Sequence, residues 1–150
     1  MSRFAVIPAS YLFLRRDDTV LLQLRQNTGY MDGYWTAGAA GHIELGETAA
    51  QAVIREAREE LGIGICPHAL TAVAVMQRTD GTDSPHEQRV DWFFTCDAWE
   101  NEPVIMEPAK CAKLRWFDLA DLPDQVPDYE QIALDAVRNG QTATLLSVGF

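Results

Sequence analysis

At 150 residues the chain has the length of one domain, and residues 1–150 are read as a single unit. Apolar residues make up 47% and charged residues 23%, ordinary globular proportions that exclude a disordered, collagen-like or coiled-coil chain. The formal charge of -10 argues against a passive nucleic-acid or membrane-surface binder, because such a field repels phosphate groups unless a divalent cation reverses the local sign.

Residues 4–14 and 19–25, rich in β-branched, aromatic and Leu side chains, predict two strands joined by a turn at Arg15-Arg16-Asp17-Asp18. Pro8 and those arginines deny the opening run the form of a signal peptide, and no apolar stretch approaches the roughly 18 residues of a membrane span. Residues 26–34 form a turn-rich loop, and a short strand over 35–40 leads into Gly41. A helix is expected over 48–61, opened by a Thr48/Gln51 capping box and stopped by Gly62. Strands over 70–78 and 88–96 flank a polar loop at 79–85, and residues 114–117 make a last short strand. The final helix begins near Asp128, read as its N-cap with Gln131 three residues on, and stops at Asn139-Gly140. Strands outnumber helices in an α+β layout. Cys66, Cys96 and Cys111 contain no closely spaced pair, which suits buried thiols in a reducing, cytoplasmic setting.

The helix over 48–61 carries the chemistry. At about 100° per residue, Glu56, Glu59 and Glu60 share an arc of about 100°, bordering the apolar arc of Ala50, Val53, Ile54, Ala57 and Leu61. Like charges three or four apart cost a helix about 0.2–0.5 kcal/mol per pair, and its C-terminal half disfavours anions by a similar amount. Two local rules broken together mark a functional position, and a hard divalent cation relieves both penalties. The plainer alternative is a solvated acidic face.

Gly41, Glu47, Arg55-Glu56, Glu59-Glu60, Gly62 and Ile63 decide between them, because their spacing reproduces the box of the Nudix hydrolases, a match expected by chance roughly once in a million chains of this length. Ala57 and the Ala37-Gly38-Ala39-Ala40 run depart from the usual pattern, which favours a bulkier aliphatic and a Leu-Pro-Gly-type approach to the box. The resemblance implies a Nudix-like α/β/α sandwich with a mixed β-sheet. It also implies hydrolysis of a nucleoside diphosphate linked to another moiety, with Mg²⁺ or Mn²⁺ as cofactor. By the same match Gly41, Glu56, Glu59 and Glu60 bind metal, Arg55 and Glu47 pair to hold the carboxylates, and Glu59 or Glu56 is the general base.

Residues 107–117, with Leu122-Pro123, resemble a stretch of Nudix nucleoside-triphosphate diphosphatases, including those acting on oxidised guanine nucleotides. The expected substrate is therefore a nucleoside triphosphate, cleaved to monophosphate and pyrophosphate. Arg25, Tyr34, Glu107 and Asp128 are the substrate-contact candidates, although Glu107 also suits a loop ion pair with Lys110 and Asp128 a plain N-cap. Tyr30, Tyr34 and Trp35 lie in the loop before the box and suit either stacking on a base or, as aromatics more often do, packing in a core or interface. His42, His68 and His86 lack ligand-spaced partners, and Trp92, Trp99 and Trp116 read as packing. The rivals are an ADP-ribose or nucleotide-sugar pyrophosphatase, a non-catalytic nucleotide-sensing Nudix module, a Ca²⁺-binding structural helix and an isopentenyl diphosphate isomerase. The last is disfavoured by the short chain and complete box. The partner is a small-molecule nucleotide, and the chain is a monomer or homodimer.

Overall fold

The computed structural model describes residues 3–150. Its centre is β1 (Ile7–Arg16), whose residues 9–14 are all buried. A strand covered on both faces needs a near-continuous apolar run, and Ala9-Ser10-Tyr11-Leu12-Phe13-Leu14 supplies one. A tight turn at Asp17 and Asp18 returns the chain as β2 (Thr19–Arg25), so the strand runs further into the expected polar turn than its composition suggests.

The stretch over 35–40 is not one strand. It divides at Gly38 into β3 (Trp35–Ala37), which pairs with β2, and β4 (Ala39–His42), which crosses over to pair with β1. A Cβ on Gly38 would press against the Leu21 carbonyl at 3.3 Å, a tight contact that favours glycine at the crossing. Helix α1 (Ala49–Leu61) follows, with both reciprocal bonds of the Thr48/Gln51 capping box and a left-handed Gly62 at φ 70°.

Strands β5 (Leu70–Arg78) and β6 (Arg89–Cys96) form an antiparallel pair, and β7 (Cys111–Asp118) lies along β2 over a longer span than residues 114–117. Short 3-10 turns at Pro67–Ala69 and Pro85–Glu87 were not expected; each begins with a proline whose fixed φ favours such a turn. Helix α2 (Asp128–Arg138) begins where expected, but Asp128 is not its N-cap. Pro127 occupies that position with no side-chain cap, and Gln131 Nε2 instead donates to the Val126 carbonyl at 2.8 Å. A last strand, β8 (Thr144–Val148), runs parallel to β5 and was not anticipated, because its five residues carry no pattern of their own.

The strand order is β3-β2-β1-β6-β5-β8, with β4 also on β1 and β7 also on β2. The β1–β6 and β5–β8 pairs are parallel and the rest antiparallel, giving the mixed sheet. Tyr11 and Phe13 of β1 face a core closed by Ala133, Leu134 and Val137 of α2. Leu12 and Leu14 face the opposite core, closed by Val53, Ala57 and Leu61 of α1. Alternation along one strand thus places a helix on each face, an α/β/α sandwich. Among the described residues no helix is long and apolar enough to cross a membrane.

Candidate active site

Two strand pairings bring the site together. Gly41 lies opposite Ser10 in the β1–β4 ladder, and the Ser10 hydroxyl donates to the Ala49 carbonyl at 2.8 Å, anchoring the first turn of α1 beside the loop that precedes it. The acidic stripe of α1 therefore lies against the end of β4. A Cβ on Gly41 would fall on the Glu56 carboxylate, so this position has room for nothing larger than glycine while Glu56 keeps its place.

Arg55 is the hub. Its Nε donates to Glu47 Oε2 at 2.7 Å and its Nη2 to Glu47 Oε1 at 3.0 Å, a bidentate pair that joins loop to helix. Its Nη1 reaches Glu56 Oε1 at 2.7 Å and Glu59 Oε2 at 3.3 Å, and its Nη2 also donates to the His42 carbonyl at 3.2 Å. The guanidinium holds the Glu47 carboxyl well down, at about 2. Glu56 behaves oppositely: burial raises its pKa against the pull of Arg55.

Glu60 sits deepest. Its Oε2 accepts from the Ala40 amide at 2.8 Å, and its Oε1 lies 3.5 Å from Gln23 Nε2. Gln23 is itself buried and donates to the Ala37 and Gly38 carbonyls, at 3.0 and 3.1 Å. Burial pushes the Glu60 carboxyl up to about 8, with the negative charges of Glu56 and Glu107 adding to the shift. Glu59 is the outermost of the three, its side chain 55% exposed. Among the described residues no three His, Cys, Asp or Glu side chains stand close enough together to form a metal-ligand cluster, and Glu56 and Glu59 both bond to Arg55.

Beside Gly41 and His42 opens a cavity of about 210 Å³, lined also by Tyr11, Arg25, Tyr30, Thr36, Tyr129 and Glu130. It is smaller than the roughly 300–1,000 Å³ of drug-sized sites, so it suits one ring system rather than a whole nucleotide. A larger cavity, about 770 Å³, lies by the β1–β2 turn among Arg15, Arg16 and Trp99 and touches no residue of the box. The smaller one is favoured because Gly41 of the box lines it.

Of the four substrate-contact candidates, only Arg25 lines this cavity. Tyr34 does not line it; its backbone carbonyl accepts from the Arg25 amide and its amide donates to the Met31 carbonyl. Asp128 is exposed at the first turn of α2. Glu107 does not line the cavity; it lies 3.8 Å from Lys110 and near enough to Glu60 to raise its pKa. Sequence reasoning passed over Glu130, which is 1% exposed and accepts the Ala37 amide at 2.7 Å. A signal was present: Glu130, Ala133, Leu134 and Val137 form one stripe at helical spacing, so a carboxylate stands on the buried face of α2. Thr36, 5% exposed, also lines the cavity, and its Oγ1 has no hydrogen-bond partner.

The model of the NUDIX domain matches residues 6–138. The chain belongs to the Nudix hydrolase family. Isopentenyl-diphosphate Delta-isomerase of Cereibacter sphaeroides is 32% identical over 122 residues, covering 80% of this chain and 68% of that protein. The NAD-capped RNA hydrolase NudC of Escherichia coli is 30% identical over 79% of this chain but only 41% of its own length. Among solved structures, the MutT NUDIX hydrolase from Burkholderia pseudomallei superposes with a TM-score of 0.79 at 29% identity, covering 89% of this chain and 98% of that one. As a Nudix pyrophosphohydrolase the protein acts on acid anhydrides, and Nudix hydrolases generally work with divalent metals.

Proposed function

We propose that this Nudix protein hydrolyses a nucleoside triphosphate to a monophosphate and pyrophosphate with Mg²⁺ or Mn²⁺. The observation that carries the reading is the array of Glu56, Glu59 and Glu60 against Gly41, held by the Glu47–Arg55 pair beside a cavity for one ring system. The donor set fits a hard divalent cation: three carboxylates and the Gly41 carbonyl supply oxygen ligands only. Glu60 fits it too, because a buried carboxyl near 8 regains its charge readily when a cation sits beside it.

When bound, the metal would neutralise diphosphate oxygens and lower the pKa of an attacking water. The chain's residues do the rest. Glu60, fixed by the Ala40 amide, and Glu56, packed on Gly41, offer carboxylate oxygens from fixed positions on one helix. Glu59 is held by Arg55 less closely than Glu56 is, at 3.3 against 2.7 Å, and is the most exposed of the three, so it is the carboxylate best placed to take the proton from a water. Arg55, anchored on Glu47, sets the angle of Glu56 and Glu59.

The triphosphate reading rests on the resemblance of the 107–123 stretch to nucleoside-triphosphate diphosphatases, while the likeness to the MutT NUDIX hydrolase supports the hydrolase fold alone. Full retention of the box weighs against a non-catalytic module. The C. sphaeroides relative's name keeps isopentenyl diphosphate in the test. Phosphate and pyrophosphate release is measured with dNTPs, 8-oxo-dGTP, ADP-ribose, NADH, nucleotide sugars and isopentenyl diphosphate, with Mg²⁺ or with EDTA. Metal-dependent pyrophosphate release from a triphosphate is the expected outcome; faster turnover of ADP-ribose or NADH transfers the assignment to that class, and no turnover of any compound refutes it.

A further inference from the structure

Residues 27–33 (Asn-Thr-Gly-Tyr-Met-Asp-Gly) form a loop built around one side chain. Asp32 accepts from the Thr28 amide on both oxygens at 3.1 Å, from the Thr28 hydroxyl at 2.6 Å and from the Gly29 amide at 2.9 Å. Those bonds hold its carboxyl below the ordinary aspartate range. They also hold a backbone that the chain would not choose unaided: Asn27 and Met31 stand at φ 55° and 53°, with Gly29 and Gly33 at 78° and 82°. A left-handed Met is uncommon and persists only where surrounding bonds over-determine it.

The loop is tied down at its start and at Tyr30. Arg25 Nε donates to the Tyr30 carbonyl at 2.9 Å, while Gln26 Nε2 and Asn27 Nδ2 donate to the carbonyls of Pro108 and Ala109 at 2.8 and 3.1 Å. At the apex Tyr30 forms the outer wall of the small cavity, 43% exposed, its hydroxyl oxygen 3.5 Å from that of Tyr129. An aromatic ring kept at the mouth of a ring-sized cavity, on a loop with its conformation already set, has little ordering entropy left to lose when a planar ligand stacks on it.

We propose that Tyr30 selects substrates by stacking on the planar heterocycle of the ligand, and that Asp32 is a positioning residue that acts only through Tyr30. The inference rests on the nucleotide reading of the cavity but is tested by binding, so it stands or falls independently of turnover. Wild type, Tyr30→Ala, Asp32→Ala, Asp32→Asn and the double variant Tyr30→Ala/Asp32→Ala are titrated calorimetrically with AMP and GMP. Imidodiphosphate with Mg²⁺ serves as the ring-free probe.

Tyr30→Ala and Asp32→Ala are each expected to weaken nucleotide binding about tenfold, the double variant no further than Tyr30→Ala alone. Asp32→Asn, which keeps an acceptor oxygen for Thr28 and Gly29, recovers part of the loss, and imidodiphosphate binding stays within twofold throughout. Losses that add in the double variant, an equal loss for imidodiphosphate, unchanged nucleotide binding in Tyr30→Ala, or no nucleotide binding by wild type would each overturn the proposal. Absence of hydrolysis in a protein that still shows this binding pattern counts against the enzymatic reading alone.

Discussion

Arg55 shows why one charged side chain carries consequences that its neighbours do not. A guanidinium has a planar fork that spans both oxygens of Glu47 while still reaching Glu56, and an ammonium has neither the fork nor the reach. Arg55→Lys should therefore lower kcat/KM about a hundredfold in steady-state assays while the protein remains folded by circular dichroism. Glu60→Gln should abolish most metal-dependent turnover and also remove the rise in melting temperature expected of the wild type with Mg²⁺; wild-type-like turnover would refute its role. Gly41→Ala places a methyl where the Glu56 carboxylate lies, and a flexible side-chain end yields more cheaply than backbone. Its expected signature is thus a large loss of activity with little change in melting temperature.

Glu130 gives a pH prediction with a definite sign. Burial raises its carboxyl to about 8 against an ordinary 4.5, so the folded state binds a proton that the unfolded state releases. The stability contributed by that proton is complete below about 4.5 and is lost as pH rises through about 8. Urea titrations in EDTA between pH 5 and 9 should show stability falling more steeply in wild type than in Glu130→Gln. Parallel curves would mean that Glu130 does not bury a proton. Glu60 contributes with the same sign in both proteins and cancels in the comparison.

Helix α1 is the element where local and tertiary requirements oppose each other. Its caps are strong, with Thr48 and Gln51 closing one end and Gly62 the other, while its acidic stripe works against helix formation. The sheet-facing side settles the balance. Leu61, 1% exposed, packs with Leu12, Leu14 and Ile63, and Leu61→Ala should cost about 2–5 kcal/mol in chemical denaturation, chiefly as a cavity. Gly62→Ala should cost about 1 kcal/mol, because the cap sits at φ 70° and an added Cβ meets Met106 at 3.1 Å. Ala57, smaller than the family pattern favours, is fully buried in the same cluster, so the helix packs closely with a short side chain there.

For the whole molecule the net charge of -10 and the anionic substrate pull in opposite directions. Self-repulsion among 22 acidic side chains is screened by salt, so the melting temperature should rise as NaCl goes from 10 to 200 mM; a fall would show that specific ion pairs outweigh the overall field.

The sequence by itself determined the family, the limits and caps of α1, the Glu47–Arg55 partnership and most of the strands. Each of these is local, or is a short pattern whose spacing carries its own geometry: a capping box needs three residues, an acidic stripe one helical turn. Tertiary structure decided the rest. The split at Gly38 depends on two different strands waiting to receive β3 and β4, and β8 exists because β5 offers it an edge. Asp128 lost its capping role to the chain direction at Pro127, and Tyr34 lost its place at the cavity to Tyr30, four residues earlier in the same loop. Glu130 could be read only as an oddity on an apolar stripe until the Ala37 amide, far away in the chain, was found to meet it. Side-chain type records what a residue can bond to; long-range pairing decides which partner arrives.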